Sequence, residues 1–142
     1  MIFFDTSVYI AASLARHERH TSCFDLLSAS IANRRKMSCG SHSMAELYSV
    51  LTRMPLPDRV SPADAIAIVN RIESFTTLHS LTTSEQIAVV RDCAARNLVS
   101  GIVHDAALVA CARKAKATAI YTLNTRHFRM AAPDLTQIIQ EP

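Results

Sequence analysis

The apolar residues of this chain fall into two textures. Short unbroken runs predict buried strands, and recurrences at three and four residues predict helices. Ile2-Phe3-Phe4 is the first run, and it ends at Asp5-Thr6-Ser7. A buried strand feeding a helix to about Leu14 is predicted there, with Thr6 or Ser7 near the N-cap. A polar break over Arg16 to His20 precedes a second helix, from about Thr21 to Asn33, on which Cys23, Phe24, Leu27 and Ile31 recur at helical spacing. Arg34-Arg35-Lys36 forms a basic turn, and Met37 to Cys39 a second strand. Met44, Leu47, Tyr48 and Leu51 stripe a third helix over Ser41 to Arg53.

Pro55, Pro57 and Pro62 interrupt the pattern, so 55–62 is read as a loop. Ser61-Pro62 is a cap followed by a first-turn proline, opening a helix to about Phe75. Leu78 to Leu81 is a third strand, and Thr82 or Thr83 caps a helix through about Arg96. After Gly101 a helix runs from about Ile102 to Lys116. Thr118 to Leu123 is a fourth strand, Asn124 to Arg129 a short turn or helix, and Thr136 to Ile139 a fifth strand. Strands alternate with helices throughout. That predicts an α/β fold, a three-layer α/β/α sandwich around a central, mostly parallel sheet of four to five strands. With 142 residues and no repeat or linker, one domain over residues 1–142 is expected.

Glycine narrows the chemistry. The chain has only two, which excludes the glycine-rich phosphate loops of dinucleotide-binding and Walker-type folds. Any phosphate chemistry must be organised by side chains and metal ions. There is no GxSxG elbow, so a serine hydrolase triad lacks support. The four cysteines form no CxxC pair and sit beside apolar or small residues, so free thiols and a cytoplasmic location are expected. His17, His20 and Cys23 lack a nearby fourth ligand and are read as a polar helix start rather than a zinc site. The longest apolar run, Ala106 to Ala112, is too short to span a membrane. MIFFD has no basic leader, so no secretory signal is expected. A net charge of +3 permits a nucleic-acid partner without demanding one.

Ligands of open parallel sheets bind beyond the carboxyl ends of the strands, so acids placed there are the candidates. Asp5 closes the aromatic first strand, where a turn or N-cap role competes with a site role. Asp105 shares its helix face with Leu108, Val109 and Ala112. A carboxylate there needs a compensating partner or cation, although the helix dipole also favours a first-turn aspartate. Glu46 lies off its helix's apolar stripe and on local grounds is an exposed glutamate. Asp25, in mid-helix, is read as structural.

Four segments, FFDTSVYIA, SMAELYSVLTR, SGIVHDAALVACA and YTLNTRHF, occur in the order of the motifs of PIN-domain nucleases, which they resemble across residues 2 to 128. Length and compactness are similar to the VapC-type toxins of bacterial toxin–antitoxin pairs. The resemblance implies a metal-dependent endoribonuclease in which Asp5, Glu46 and Asp105 are catalytic and hold one or two Mg²⁺ or Mn²⁺ ions. Hard cations select carboxylate oxygens, and they relieve the repulsion between crowded acids. It further implies an RNA substrate, a cognate antitoxin and a homodimer. Thr6, Ser7 and Thr122 are accessory candidates for hydrogen bonds to a ligand or phosphate. Asn124, a further accessory candidate, stands where relatives often carry a fourth acid and can still coordinate through its carbonyl oxygen or a water without bringing charge, and His127 is given no catalytic role. Arg16, Arg19, Arg126 and Arg129 are candidate grips on the RNA backbone. The neutral Asn124 motivates an alternative, a catalytically weak or inactive PIN-like module that binds RNA or protein.

Overall fold

The structure, a computed structural model, describes residues 1–55 and 57–142. In chain order its elements are β1 (Ile2–Phe4), α1 (Thr6–Ser13), α2 (His20–Ala32), β2 (Met37–Gly40), α3 (His42–Arg53), α4 (Pro62–Glu73) and β3 (Thr76–His79). These are followed by α5 (Thr83–Ala95), α6 (Ile102–Lys114), β4 (Ala119–Tyr121), α7 (Thr125–Ala131), a 3-10 turn over Pro133–Ile138, and β5 (Ile139–Gln140). The strands lie in the order β3-β2-β1-β4-β5. Every pairing is parallel, with Ile2 opposite Met37 on one side and Ala119 on the other.

The first strand sits at the centre because all its residues are apolar and buried, as a strand covered on both faces requires. Its side chains alternate between two cores. Ile2 and Phe4 pack with Val8, Tyr9, Leu27, Leu47 and Leu51 from α1, α2 and α3. Phe3 packs with Leu108, Val109, Cys111 and Phe128 from α6 and α7. The three-layer α/β/α arrangement follows from that alternation. Ser61 accepts the Asp64 amide and caps α4, with Pro62 in the first turn. Thr82 and Glu85 form a reciprocal capping box on α5.

The observed boundaries correct several expectations. The third strand is 76–79, two residues earlier than expected, because Thr76 to His79 pair along the whole of β2 while Leu81 turns away to the α6 core. Helix α4 accordingly stops at Glu73. The fifth strand shrinks to two residues, since Pro133 and the Thr136 hydroxyl on the Pro133 carbonyl hold 133–138 in a tight turn. The N-cap position of α1 is Asp5 itself, ahead of Thr6 and Ser7. The loop expected over 55–62 includes Leu56, which lies outside the described residues.

Gly40 closes β2 where α6 approaches most tightly. A Cβ there would lie 2.7 Å from Leu108 Cδ2 and 3.1 Å from the His42 ring. Leu108 is 2% exposed and has no room to yield. Gly40→Ala is therefore expected to destabilise the fold by about 1–3 kcal/mol through overpacking. Thermal unfolding of the variant measures this, and an unchanged melting temperature would show that α6 can retreat.

Candidate active site

The carboxyl ends of the central strands converge on Asp5. Its backbone continues the β1–β4 ladder by donating to the Tyr121 carbonyl at 2.9 Å. Although Asp5 occupies the N-cap position of α1, its carboxylate makes no capping bond. Oδ2 instead accepts from Ser7 Oγ at 2.5 Å and from Thr122 Oγ1 at 2.8 Å. Those hydroxyl oxygens themselves accept backbone N–H groups, from Leu123 at 3.0 Å and Asn124 at 2.9 Å. With amides filling their acceptor sides, both hydroxyl protons are committed to Asp5. Thr6 is buried beside this network, and its Oγ1 has no partner among the described residues.

Asp105 stands in the first turn of α6, and its Oδ2 meets two side chains from the start of α7. Asn124 Nδ2 lies at 3.0 Å and His127 Nδ1 at 3.1 Å, while those two nitrogens are 2.8 Å apart. With Asp105 ionised, only two of the three contacts can be hydrogen bonds together. If His127 Nδ1 carries a proton it can serve Asp105 but cannot accept from Asn124; without one, the reverse holds. A proton on Asp105 does not change the count, because the single Nδ1 lone pair accepts from only one donor at a time.

Glu46 projects from α3 into the same region. A groove of about 560 Å³ is lined by His42, Glu46, Gly101, His104, Asp105, Asn124 and His127. Asp5, only 5% exposed, is not in the groove lining but is electrostatically linked to both acids that are. Burial raises the Asp5 carboxyl above its usual range, and the charge of Glu46 adds to the shift against the two hydroxyl bonds. Burial, then the charges of Asp5 and Glu46, push Asp105 up to about 6 against the opposing effect of His127. Burial lowers His42, and Glu46 partly restores it.

The expected residues therefore separate into groups. Glu46 and Asp105 share the groove, Asp5 lies behind it with Ser7 and Thr122, and Asn124 bonds Asp105. Among the described residues, no three His, Cys, Asp or Glu side chains come close enough to form a preassembled metal cage. None of the four arginines lines the groove. Arg16 faces Asp58 at 3.9 Å, Arg19 reaches Glu141 and the Pro142 carbonyl, and Arg129 donates to the Ile139 carbonyl. Arg126 is exposed on α7. Of the three histidines of the groove, His42 and His104 escaped the sequence reading, and His127 was given no catalytic role there. The available signals were spacing: His42 lies one helical turn before Glu46, His104 precedes Asp105, and His127 follows Asn124 by three residues.

A central parallel sheet with acids gathered at its carboxyl end defines a class of α/β nuclease-like domains. The chain belongs to the PIN domain family, whose model matches residues 2–133. Within that family it is of the VapC ribonuclease type. Ribonuclease VapC27 of Mycobacterium tuberculosis (strain H37Rv) is 34% identical over 113 residues, spanning 80% of this chain and 77% of that protein. Ribonuclease VapC40 of the same species is 31% identical over 126 residues, spanning 89% and 88%. The crystal structure of Mycobacterium tuberculosis VapC20, a sarcin-ricin loop cleaving toxin, shares the fold with a TM-score of 0.72. That likeness comes at 20% identity and covers 89% of this chain and 92% of that one.

The raised Asp105 carboxyl sets a pH dependence of stability. The folded group, at about 6, binds a proton that the unfolded chain, at 3.8, releases. Its contribution is complete below the unfolded value and is lost as pH rises through 6. His42 runs oppositely, because its folded value lies below 6.5. In chelator, acidification from about pH 7 to about pH 5 should raise the melting temperature of the wild-type chain relative to Asp105→Asn, a comparison in which the His42 contribution cancels. A difference independent of pH would contradict the raised carboxyl.

Proposed function

We propose that this VapC-type PIN ribonuclease is a divalent-metal-dependent endoribonuclease, the toxin of a toxin–antitoxin pair, with Asp5, Glu46 and Asp105 as its catalytic and metal-holding residues. The observation that carries the proposal is electrostatic. Acids from the end of β1, from α3 and from α6 meet at one end of the sheet, where the charges of Asp5 and Glu46 both raise Asp105 and that of Glu46 raises Asp5. The donor set fits Mg²⁺ or Mn²⁺, because it offers hard carboxylate oxygens whose mutual repulsion a cation relieves. Asp5 and Asp105 would hold the main ion, with Glu46 binding directly or through water. When bound, the ion supplies charge relief at the scissile phosphate and an acidified water for hydrolysis of the phosphodiester.

The chain's own groups have assignable tasks. Ser7 and Thr122 hold Asp5 by one oxygen, leaving the other without a side-chain hydrogen bond. Asn124 and His127 fix the rotamer of Asp105. Asn124 acts here as a donor, so it orients an acid rather than adding one. His42 and His104 flank the groove, where neutral or protonated imidazoles can meet the RNA backbone. The binding-only alternative is not favoured, since both curated relatives are named ribonucleases.

The same reading extends to setting and partners. Residues 1–142 would work as one nuclease domain in the cytoplasm, where four buried cysteines remain thiols. Among the described residues no helix is long and apolar enough to cross a membrane. Phe24 and Ile31 on α2 leave apolar surface that an antitoxin would cover, and Ile87 and Val90 on α5 leave surface suited to a homodimer. Arg16, Arg19, Arg126 and Arg129 are retained as proposed contacts to RNA outside the groove.

RNA cleavage measured with Mg²⁺ or Mn²⁺, and again with chelator, tests the proposal. Asp5→Asn and Asp105→Asn are each expected to reduce cleavage at least about a hundredfold, with circular dichroism unchanged. Glu46→Gln should fall with them. Cleavage that survives chelation, or survives both aspartate substitutions in folded protein, would overturn it.

A further inference from the structure

The opposite end of the sheet carries a second site of contrary charge. A pocket of about 350 Å³ is lined by Met1, Ile2, Arg35, Lys36, Thr118, Ala119 and Tyr121, with no carboxylate among them. It opens beside the amino ends of β1, β2 and β4. Arg34 continues the basic turn that precedes β2, and Lys116 occupies the turn that precedes β4. None of Arg34, Arg35, Lys36 and Lys116 makes an ion pair with the described residues, a state they share with Arg53, Arg59, Arg71, Arg91, Arg126 and Arg129 elsewhere on the chain. The pocket also holds an aromatic wall. Tyr121 stacks on Phe4 with ring centroids 5.7 Å apart.

The backbone adds an independent observation. Arg34 and Lys116 have φ of 50° and 53°, in the left-handed region that favours glycine or asparagine. Each follows the cap residue of its helix, in a turn where the next amide reaches back five residues: Arg35 to the Ser30 carbonyl and Ala117 to Ala112. The matching turn after α5 uses Asn97, at φ 53°, the residue such a position tolerates well. The two turns that flank the pocket instead hold cations in a strained conformation. A helix carboxyl end attracts positive charge; after α5 a cation, Arg96, stands at the cap position and Asn97 takes the left-handed one, whereas after α2 and α6 the left-handed position itself holds the cation.

We propose that this pocket is a binding subsite for single-stranded RNA, taking backbone phosphate on Arg35 and Lys36, with Arg34 and Lys116 adding attraction, and a base against Tyr121. The proposal rests on the ribonuclease reading and deepens it. Paired positive charge and an aromatic face are what sequence-tolerant single-strand binding uses. Tyr121 immediately precedes Thr122, the residue that holds Asp5, so β4 connects the subsite to the acids at the other end of the sheet. The acidic groove repels a polyanion until a cation enters it, and the basic pocket supplies the attraction that the groove lacks.

The test measures binding in chelator, where cleavage plays no part. The probe is a fluorescein-labelled, mixed-sequence single-stranded RNA of about a dozen nucleotides, followed by anisotropy across a salt series. Arg35→Glu/Lys36→Glu is expected to weaken binding roughly tenfold or more and to flatten the dependence of log Kd on log salt by about 0.7 per lost contact. Arg34→Gly/Lys116→Gly should also weaken binding while leaving the melting temperature equal or higher, because glycine relieves the left-handed backbone. Undiminished affinity in both variants, or no RNA binding by the wild-type chain, would overturn the subsite. Loss of binding to phosphatidylserine vesicles with RNA affinity unchanged would assign the patch to an anionic membrane and overturn it equally. A wild-type chain that binds RNA through this pocket but cleaves none when Mn²⁺ is restored would overturn the nuclease reading and leave the subsite standing.

Discussion

The burial of Asp5 is the constraint on which the rest of the site depends. A carboxylate that is 5% exposed carries a desolvation penalty of several kcal/mol, and each charge-assisted hydrogen bond returns about 1.5–3 kcal/mol. Two hydroxyls from different segments therefore come close to offsetting the penalty without removing it, which is why the carboxyl remains raised. The consequence is geometric. Thr122 can serve Asp5 only if β4 ends beside β1, and the amides of Leu123 and Asn124 then lock the hydroxyls in place. The same lock presents the Asn124 side chain to Asp105. One buried acid thus fixes the position of a second acid a hundred residues away in sequence.

That dependence explains what could be read from the chain and what could not. Asp5 and Asp105 are anomalous locally, one ending an aromatic run and the other on an apolar helix stripe, so burial of charge was legible before any geometry. Glu46 was not, because it is exposed, and an exposed glutamate one turn from a polar face has no local signature. Only the order of the motif-like segments pointed to it. His127 was passed over for a related reason. Its importance lies in Asp105 and Asn124 sharing its reach, a tertiary fact that spacing along α7 does not encode.

The helices were legible because their periodicity and caps are strong, as the Ser61-Pro62 and Thr82-Glu85 signals illustrate. Strand limits were less so. A four-residue strand is defined by its partner's length as much as by its own residues, and β3 begins at Thr76 because β2 begins opposite it at Met37. In the same way β5 extends only as far as the tight turn before it allows. The polar break after the first helix and the basic turn before β2 were visible as composition, but the side of the sheet they face depends on parallel pairing.

Parallel pairing also separates charge. All strands start at one end of the sheet and finish at the other, so turns before strands collect together and residues after strands collect together. Asp5, Ser41 and Thr122 follow their strands, while Lys36 and Thr118 precede theirs. The sequence uses this to place acids at one end and unpaired cations at the other, within a chain whose net charge is only +3. A mild overall charge therefore conceals a dipolar arrangement. Its acidic end holds carboxyls that burial and mutual charge push upward, and its basic end holds cations with no carboxylate lining the pocket beside them. The two glycines fit the same logic. Gly40 is needed for close packing of α6 and has ordinary backbone angles, so the left-handed turns at Arg34 and Lys116 are left to charged residues that glycine would outperform on conformational grounds alone. Strain retained at the basic end and repulsion retained at the acidic end are two forms of one physical state, a fold held short of its conformational optimum at the places where polyanion chemistry would occur.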